Sequence, residues 1–135
     1  MSVPKPTEQS IVNACLQLLA ARGVFAWRVN QGAVKTDGRF IRFSSAVGIS
    51  DIVGVMPTIV TREFVKADTD IDGDARRIPS GRMVCVEVKR PGLGKRSRPE
   101  PHQQAFLDAV AKCGGLALCV TDVLQLDAAL TAEGL

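Results

Sequence analysis

The run Met83–Pro91, Met-Val-Cys-Val-Glu-Val-Lys-Arg-Pro, constrains the fold of this chain more than any other stretch. Val84, Val86 and Val88 alternate with Cys85, Glu87 and Lys89, the period of two that a β-strand imposes. β-Branched residues take one face, so Glu87 and Lys89 share the other, about 7 Å apart along the strand. A strand this apolar belongs inside a sheet, where a lone charge is costly. The acid and the base must therefore pair, bind a metal or take part in chemistry.

The rest of the chain supplies a domain around that strand. At 135 residues it fits a single domain, 1–135, large enough for a hydrophobic core. The balance of 46% hydrophobic and 23% charged residues excludes a disordered chain. Neither a signal-peptide pattern nor a run that could span a membrane is present, so the expectation is a soluble, intracellular protein. Cys15, Cys85, Cys113 and Cys119 form no CxxC pair, which argues against zinc; each is expected to be a small buried residue in a reducing compartment.

In chain order, Thr7 caps a helix over Glu8–Arg22 that ends at Gly23, with an apolar stripe of Ile11, Val12, Cys15, Leu18 and Leu19. One turn back, the stripe meets Glu8, a carboxylate that either complements the helix dipole or belongs to a site. Val24–Asn30 and Arg39–Ser44 read as strands joined by a polar turn, Gly32–Gly38, into a hairpin. Ile52–Met56 reads as a central strand headed by Asp51, and Thr58–Lys66 as a fourth strand pairing with Met83–Arg90 across a 67–81 loop insertion. Trp27 is expected in the core.

Two apparent motifs fail on inspection of their spacing. Asp68, Asp70, Asp72 and Gly73 copy the opening of an EF-hand loop, but Pro79 stands where the closing Glu must be. Gly94-Lys95 lacks the upstream glycine of a phosphate loop, and Arg96 replaces its Ser or Thr. The 91–101 segment, rich in Pro, Gly and cations, is expected to be an exposed, mobile loop. A helix over His102–Cys113 follows, with Gln103 in phase with its buried face and Gln104 off it. Leu116–Val120 is the last core strand and Val123–Leu130 the closing helix.

Polar groups thus recur where apolar ones are expected: Glu8, Asp51, Glu87 with Lys89, and Gln103. If strands of one sheet set Asp51 beside Glu87, the two carboxylates and the Val88 carbonyl are the hard oxygen ligands that magnesium takes. Lys89 on the same face could then orient or deprotonate the attacking water and stabilise charge at phosphorus. Arg90, Lys95, Arg96 and Arg98 are suited to DNA phosphates, although solvated surface is the commoner role of such residues.

Gly48-Ile49-Ser50-Asp51 followed by Glu87-Val88-Lys89 resembles the PD-(D/E)xK nuclease superfamily, in which a strand-borne aspartate and an E-x-K strand make the metal site. More narrowly, Glu8 on the leading helix, the E-V-K-R-P run from Glu87 to Pro91, and the Gln103 helix ending in two glycines resemble the VRR-NUC domain over roughly Glu8–Val120. That domain occurs alone in phages and bacteria, and also as the nuclease module of Fanconi-anemia-associated nuclease. The resemblance implies an α/β fold, a mixed central β-sheet flanked by helices with a restriction-endonuclease-like core. It further implies Asp51 and Glu87 as ligands of Mg2+ or Mn2+, the Val88 carbonyl as another, and Lys89 as the catalytic lysine. Glu8 would be an added acid acting through water or a second metal, and Gln103 a supporting glutamine. Ser50 departs from the pattern, which has proline before the aspartate, and the 67–81 insertion falls outside the family core.

The activity so implied is structure-specific DNA endonuclease, with in-line hydrolysis leaving a 5′-phosphate and a 3′-hydroxyl. Standalone domains of this kind resemble Holliday-junction resolvases of DNA repair. That likeness implies branched DNA as partner, in the cytoplasm of a bacterial or phage-infected cell, and because a domain this small has little surface for encircling such a substrate, a homodimer is expected. Two rivals come from other classes: a catalytically silent DNA-binding module of the same fold, and an interaction subunit whose charges merely solvate a sheet.

Overall fold

A computed structural model describes residues 2–29, 33–36, 38–42, 47–61 and 77–135. Among them, in order, are α1 (Glu8–Ala21), β1 (Phe25–Arg28), β2 (Ala33–Thr36), β3 (Arg39–Arg42), β4 (Ile52–Thr61), β5 (Arg77–Val88), α2 (Pro101–Lys112), β6 (Leu116–Val120) and α3 (Val123–Ala132). A short 3-10 turn, Gly94–Ser97, lies between β5 and α2. The architecture is α/β: a four-stranded mixed sheet in the order β1-β4-β5-β6, flanked by the three helices. The first three strands pair antiparallel; β5 and β6 run parallel, a connection that requires a crossover such as α2. No helix among the described residues is long and apolar enough to cross a membrane.

The period of two in β5 divides the core into two layers. Val84, Val86 and Val88 are fully buried on one face with Ile11, Val12, Cys15 and Leu19 of α1 and Leu126 and Leu130 of α3. Cys85 lies on the other face with Val53 of β4 and Leu107 and Val110 of α2. Thr7 caps α1 as expected, its hydroxyl accepting the Ser10 N–H at 3.1 Å.

Several expectations need correction. β1 does not form a hairpin with the next strand but pairs with β4, Phe25 opposite Val55 and Arg28 opposite Ile52. The hairpin is β2–β3, so residues expected to be a turn form a strand. The separate third and fourth strands are one, β4, paired along its whole length with β5. Pro57 does not break it, because β1 ends opposite Val55 and, among the described residues, no strand on that side needs the missing N–H. Residues 77–81 of the expected insertion are strand; the remainder, with Asp68, Asp70, Asp72 and Gly73, lies outside the described residues. Trp27 is not in the core but 45% exposed. Of the cysteines, Cys15 and Cys85 are buried, Cys119 half-buried and Cys113 exposed.

Candidate active site at one end of the sheet

Asp51 immediately precedes β4 and Glu87 is the last residue but one of β5. One step of register beyond Ile52 and Val86 sets the two carboxylates opposite each other on the α2 face. Two hydrogen bonds hold Asp51 there. Its carbonyl accepts the Val29 N–H at 2.8 Å, continuing the β1–β4 pairing, and its Oδ2 accepts the Val88 N–H at 2.8 Å.

Glu87 is only 2% exposed. Its Oε1 accepts from Gln103 Nε2 at 2.7 Å and lies 3.3 Å from Lys89 Nζ, while Oε2 is buried with no hydrogen-bond partner among the described residues. The orientation of Gln103 follows from where it stands. It is the third residue of α2, and its Oε1 accepts the Glu100 N–H at 2.8 Å, half of a capping box. With the carbonyl end engaged, the amide NH2 is what remains to face Glu87. Gln104, off this face, instead donates to Asp108 at 2.8 Å.

The loop carrying Asp51 is seated directly under the start of α2. Gly48 has φ +75°, and a Cβ there would fall 2.3 Å from the His102 carbonyl oxygen, so no larger residue fits. Ser50, also on this loop, is fully buried with its hydroxyl unpartnered. One close approach thus couples the strand head that bears Asp51 to the helix turn that bears Gln103.

Burial, and secondarily the negative charge of Asp51, push the Glu87 carboxyl up from 4.5 to about 7, against the opposing pull of Lys89. Cys119, opposite Glu87 in β6, has its thiol raised by burial and by the Glu87 charge.

The donor set can be compared with the needs of particular ions. Among the described residues no group of three or more His, Cys, Asp or Glu side chains is placed to hold a metal ion. Magnesium keeps several waters and needs one or two carboxylates, which Asp51 and Glu87 supply. The unpartnered Oε2 of Glu87 is the feature that fits such a cation, since a buried carboxylate oxygen otherwise finds a donor.

Among the described residues no hydrogen bond or ion pair ties Glu8 to this group: it is exposed in the first turn of α1, which packs on the opposite face of the sheet, a position the helix dipole also favours for an acid. The α1 terminus does lie at the same end of the sheet, because Gln9 binds Arg28 of β1.

The 91–101 segment is exposed, as expected, but it is a stitched turn. Ser97 Oγ accepts the Leu93 N–H at 2.9 Å and donates to the Arg90 carbonyl at 2.5 Å. Lys95, Arg96 and Arg98 thereby line, with Lys89 and the Pro99–Pro101 wall, a cavity of about 330 Å³. Arg90 is exposed and outside that lining. Glu100 was missed as a contributor, although Glu100-Pro101-His102-Gln103 is a readable helix-start signal: acceptor, proline, then glutamine at the third helical position. Comparison of the chain with family models, curated proteins and solved structures gave no match.

Proposed function

We propose that the chain is a divalent-cation-dependent DNA endonuclease with a restriction-endonuclease-like core of the VRR-NUC kind. The observation that carries this reading is that Asp51, Glu87, Lys89 and Gln103, from three separate stretches, meet at one sheet end with a buried carboxylate oxygen left without a donor among the described residues. Asp51 and Glu87 would hold Mg2+ or Mn2+, with the Val88 carbonyl as the backbone candidate between Glu87 and Lys89. When bound, the ion supplies positive charge to the phosphate under attack. Gln103 holds Glu87 by one oxygen and leaves the other free. Lys89, 14% exposed, stands between Glu87 and the basic cavity, where its ammonium can orient the attacking water and stabilise charge on the phosphate. Lys95, Arg96 and Arg98 bind flanking phosphates. Hydrolysis in line leaves a 5′-phosphate and a 3′-hydroxyl.

The test uses junction, flap and single-stranded DNA with Mg2+, Mn2+ or a chelator. Cleavage is expected with either cation and none with chelator, and Lys89→Ala should abolish cleavage while binding changes only a few-fold. Tight binding without cleavage in any cation would leave a DNA-binding module of the same fold. A branched substrate offers two equivalent arms, so a symmetric dimer is expected in sedimentation of the junction complex.

A further inference from the structure

Among the described residues, the sheet face that carries Asp51 and Glu87 is covered only in part. α2 packs on β5 and β6, and on the β1–β4 side of the same face Phe25 is 74% and Trp27 45% exposed. Their register partners identify the face: Trp27 is opposite Val53, which pairs with Cys85 under α2, and Phe25 is opposite Val55, which pairs with Met83. Trp27 is therefore one row, about 7 Å, from the Asp51–Glu87 row, and Phe25 one row further.

We propose that Trp27 and Phe25 form a stacking platform for unpaired bases of the DNA strand whose phosphate lies at Asp51 and Glu87. The proposal rests on the nuclease reading of that site. It is supported first by continuity, since platform and carboxylates share one sheet face without a change of side. It is supported also by geometry. The two rings are 5.4 Å apart and tilted by 53°, a contact that fixes them side by side while Phe25 stays 74% and Trp27 45% exposed. The charges lie on the far side of the site, at Lys89, Lys95, Arg96 and Arg98. A strand crossing the carboxylate row would thus meet cations for its phosphates on one side and aromatic rings for its bases on the other, the pairing of features that single-strand binders use. A second copy of the chain is the weaker occupant. With Val55 and Met83 at about two-fifths exposed, the patch offers on the order of 400 Å², half of the roughly 800 Å² per partner that a stable interface covers.

The chain has one tryptophan and no tyrosine, so its emission reports on Trp27 alone. In chelator, where cleavage cannot interfere, an oligo-dT strand should quench that emission and a blunt duplex of equal length should not. Trp27→Ala should weaken oligo-dT binding, followed by anisotropy of a labelled strand, by about 5–150-fold, Phe25→Ala should weaken it as well, and Trp27→Phe should restore most of it. Unchanged emission on binding, absence of oligo-dT binding, or a Trp27→Ala variant that binds normally while losing a dimer in sedimentation would each overturn the proposal. Cleavage by the unaltered protein with Mg2+ is scored separately. A cleaving enzyme whose Trp27→Ala variant binds normally loses the platform alone, whereas quenching without cleavage in any cation removes the nuclease on whose site the platform was placed.

Discussion

The raised carboxyl of Glu87 makes a sharp prediction about stability. In the folded, metal-free chain this group holds its proton up to about 7, whereas an unfolded glutamate loses it near 4.5. Between those values the native state binds more protons than the unfolded one, so unfolding free energy falls as pH rises. The contribution is fully present below 4.5 and is lost as pH passes through 7. At about 1.4 kcal/mol per tenfold, the loss is roughly 3 kcal/mol. The side chain is 2% exposed, so solvent does little to reduce it. The groups facing Glu87 are Asp51 ahead of β4, Lys89 just after β5, Cys119 on β6 and the neutral Gln103 on α2. Thermal melts of the wild type and of Glu87→Gln, in chelator from pH 4.5 to 8, isolate the effect by difference. The variant should lack this slope and exceed the wild type at pH 8 by roughly 10 °C, given an unfolding entropy of about 0.3 kcal/mol/K for a chain of this size. Mg2+ should stabilise the wild type at pH 8 and have little effect at pH 5, because it takes the ionised carboxylate. Equal slopes for the two proteins would refute the reasoning, since the proton would then sit elsewhere.

Other perturbations probe the supports of the site. Gly48→Ala places a Cβ against the His102 carbonyl at positive φ and should cost about 2–4 kcal/mol in urea unfolding, with cleavage lost even where the protein remains folded. Gln103→Leu removes the donor to a buried carboxylate; it should cost about 1–3 kcal/mol above pH 7 and less at pH 5, where Glu87 is protonated. Replacing Arg96 and Arg98 together by Ala should lower the salt dependence of single-strand binding by about 1.4 in log–log slope, whereas Lys112→Ala, at the far end of α2, should leave it nearly unchanged.

What was legible in the sequence follows from the range over which each signal acts. The period of two in Met83–Val88 and the stripe of α1 are local, and both appear as read, with the two faces of β5 in different layers. Strand partners are not local. Asp37-Gly38 between Ala33–Thr36 and Arg39–Arg42 is a two-residue hairpin cue that the longer turn reading passed over, whereas nothing in Phe25–Arg28 shows that it skips that hairpin for β4. Trp27 was expected in the core from its residue type, but its burial is decided by how far α2 extends across the sheet, which no pattern within Phe25–Arg28 encodes.

The same distinction separates Glu8 from the other candidate residues, of which the fold gathers Asp51, Glu87, Lys89 and Gln103. Asp51, Glu87, Lys89 and Gln103 each stood out because a polar residue occupied a position where an apolar one was expected, and on the α2 face Glu87 is buried with the other three half-buried. Glu8 stood out by the same rule, in phase with Ile11, Val12 and Cys15. The phase of a helix, however, tells which side faces the sheet and not which of the sheet's two faces it covers. α1 covers the face of Val84, Val86 and Val88, and Glu8 lies one turn beyond its buried stripe, in solvent at the helix start. An acid in that place needs no partner, because the unpaired N–H groups of the first turn already favour it. Glu8→Gln should therefore alter cleavage far less than Glu87→Gln, and equal losses for the two would show that the acid at the start of α1 acts across the end of the sheet after all.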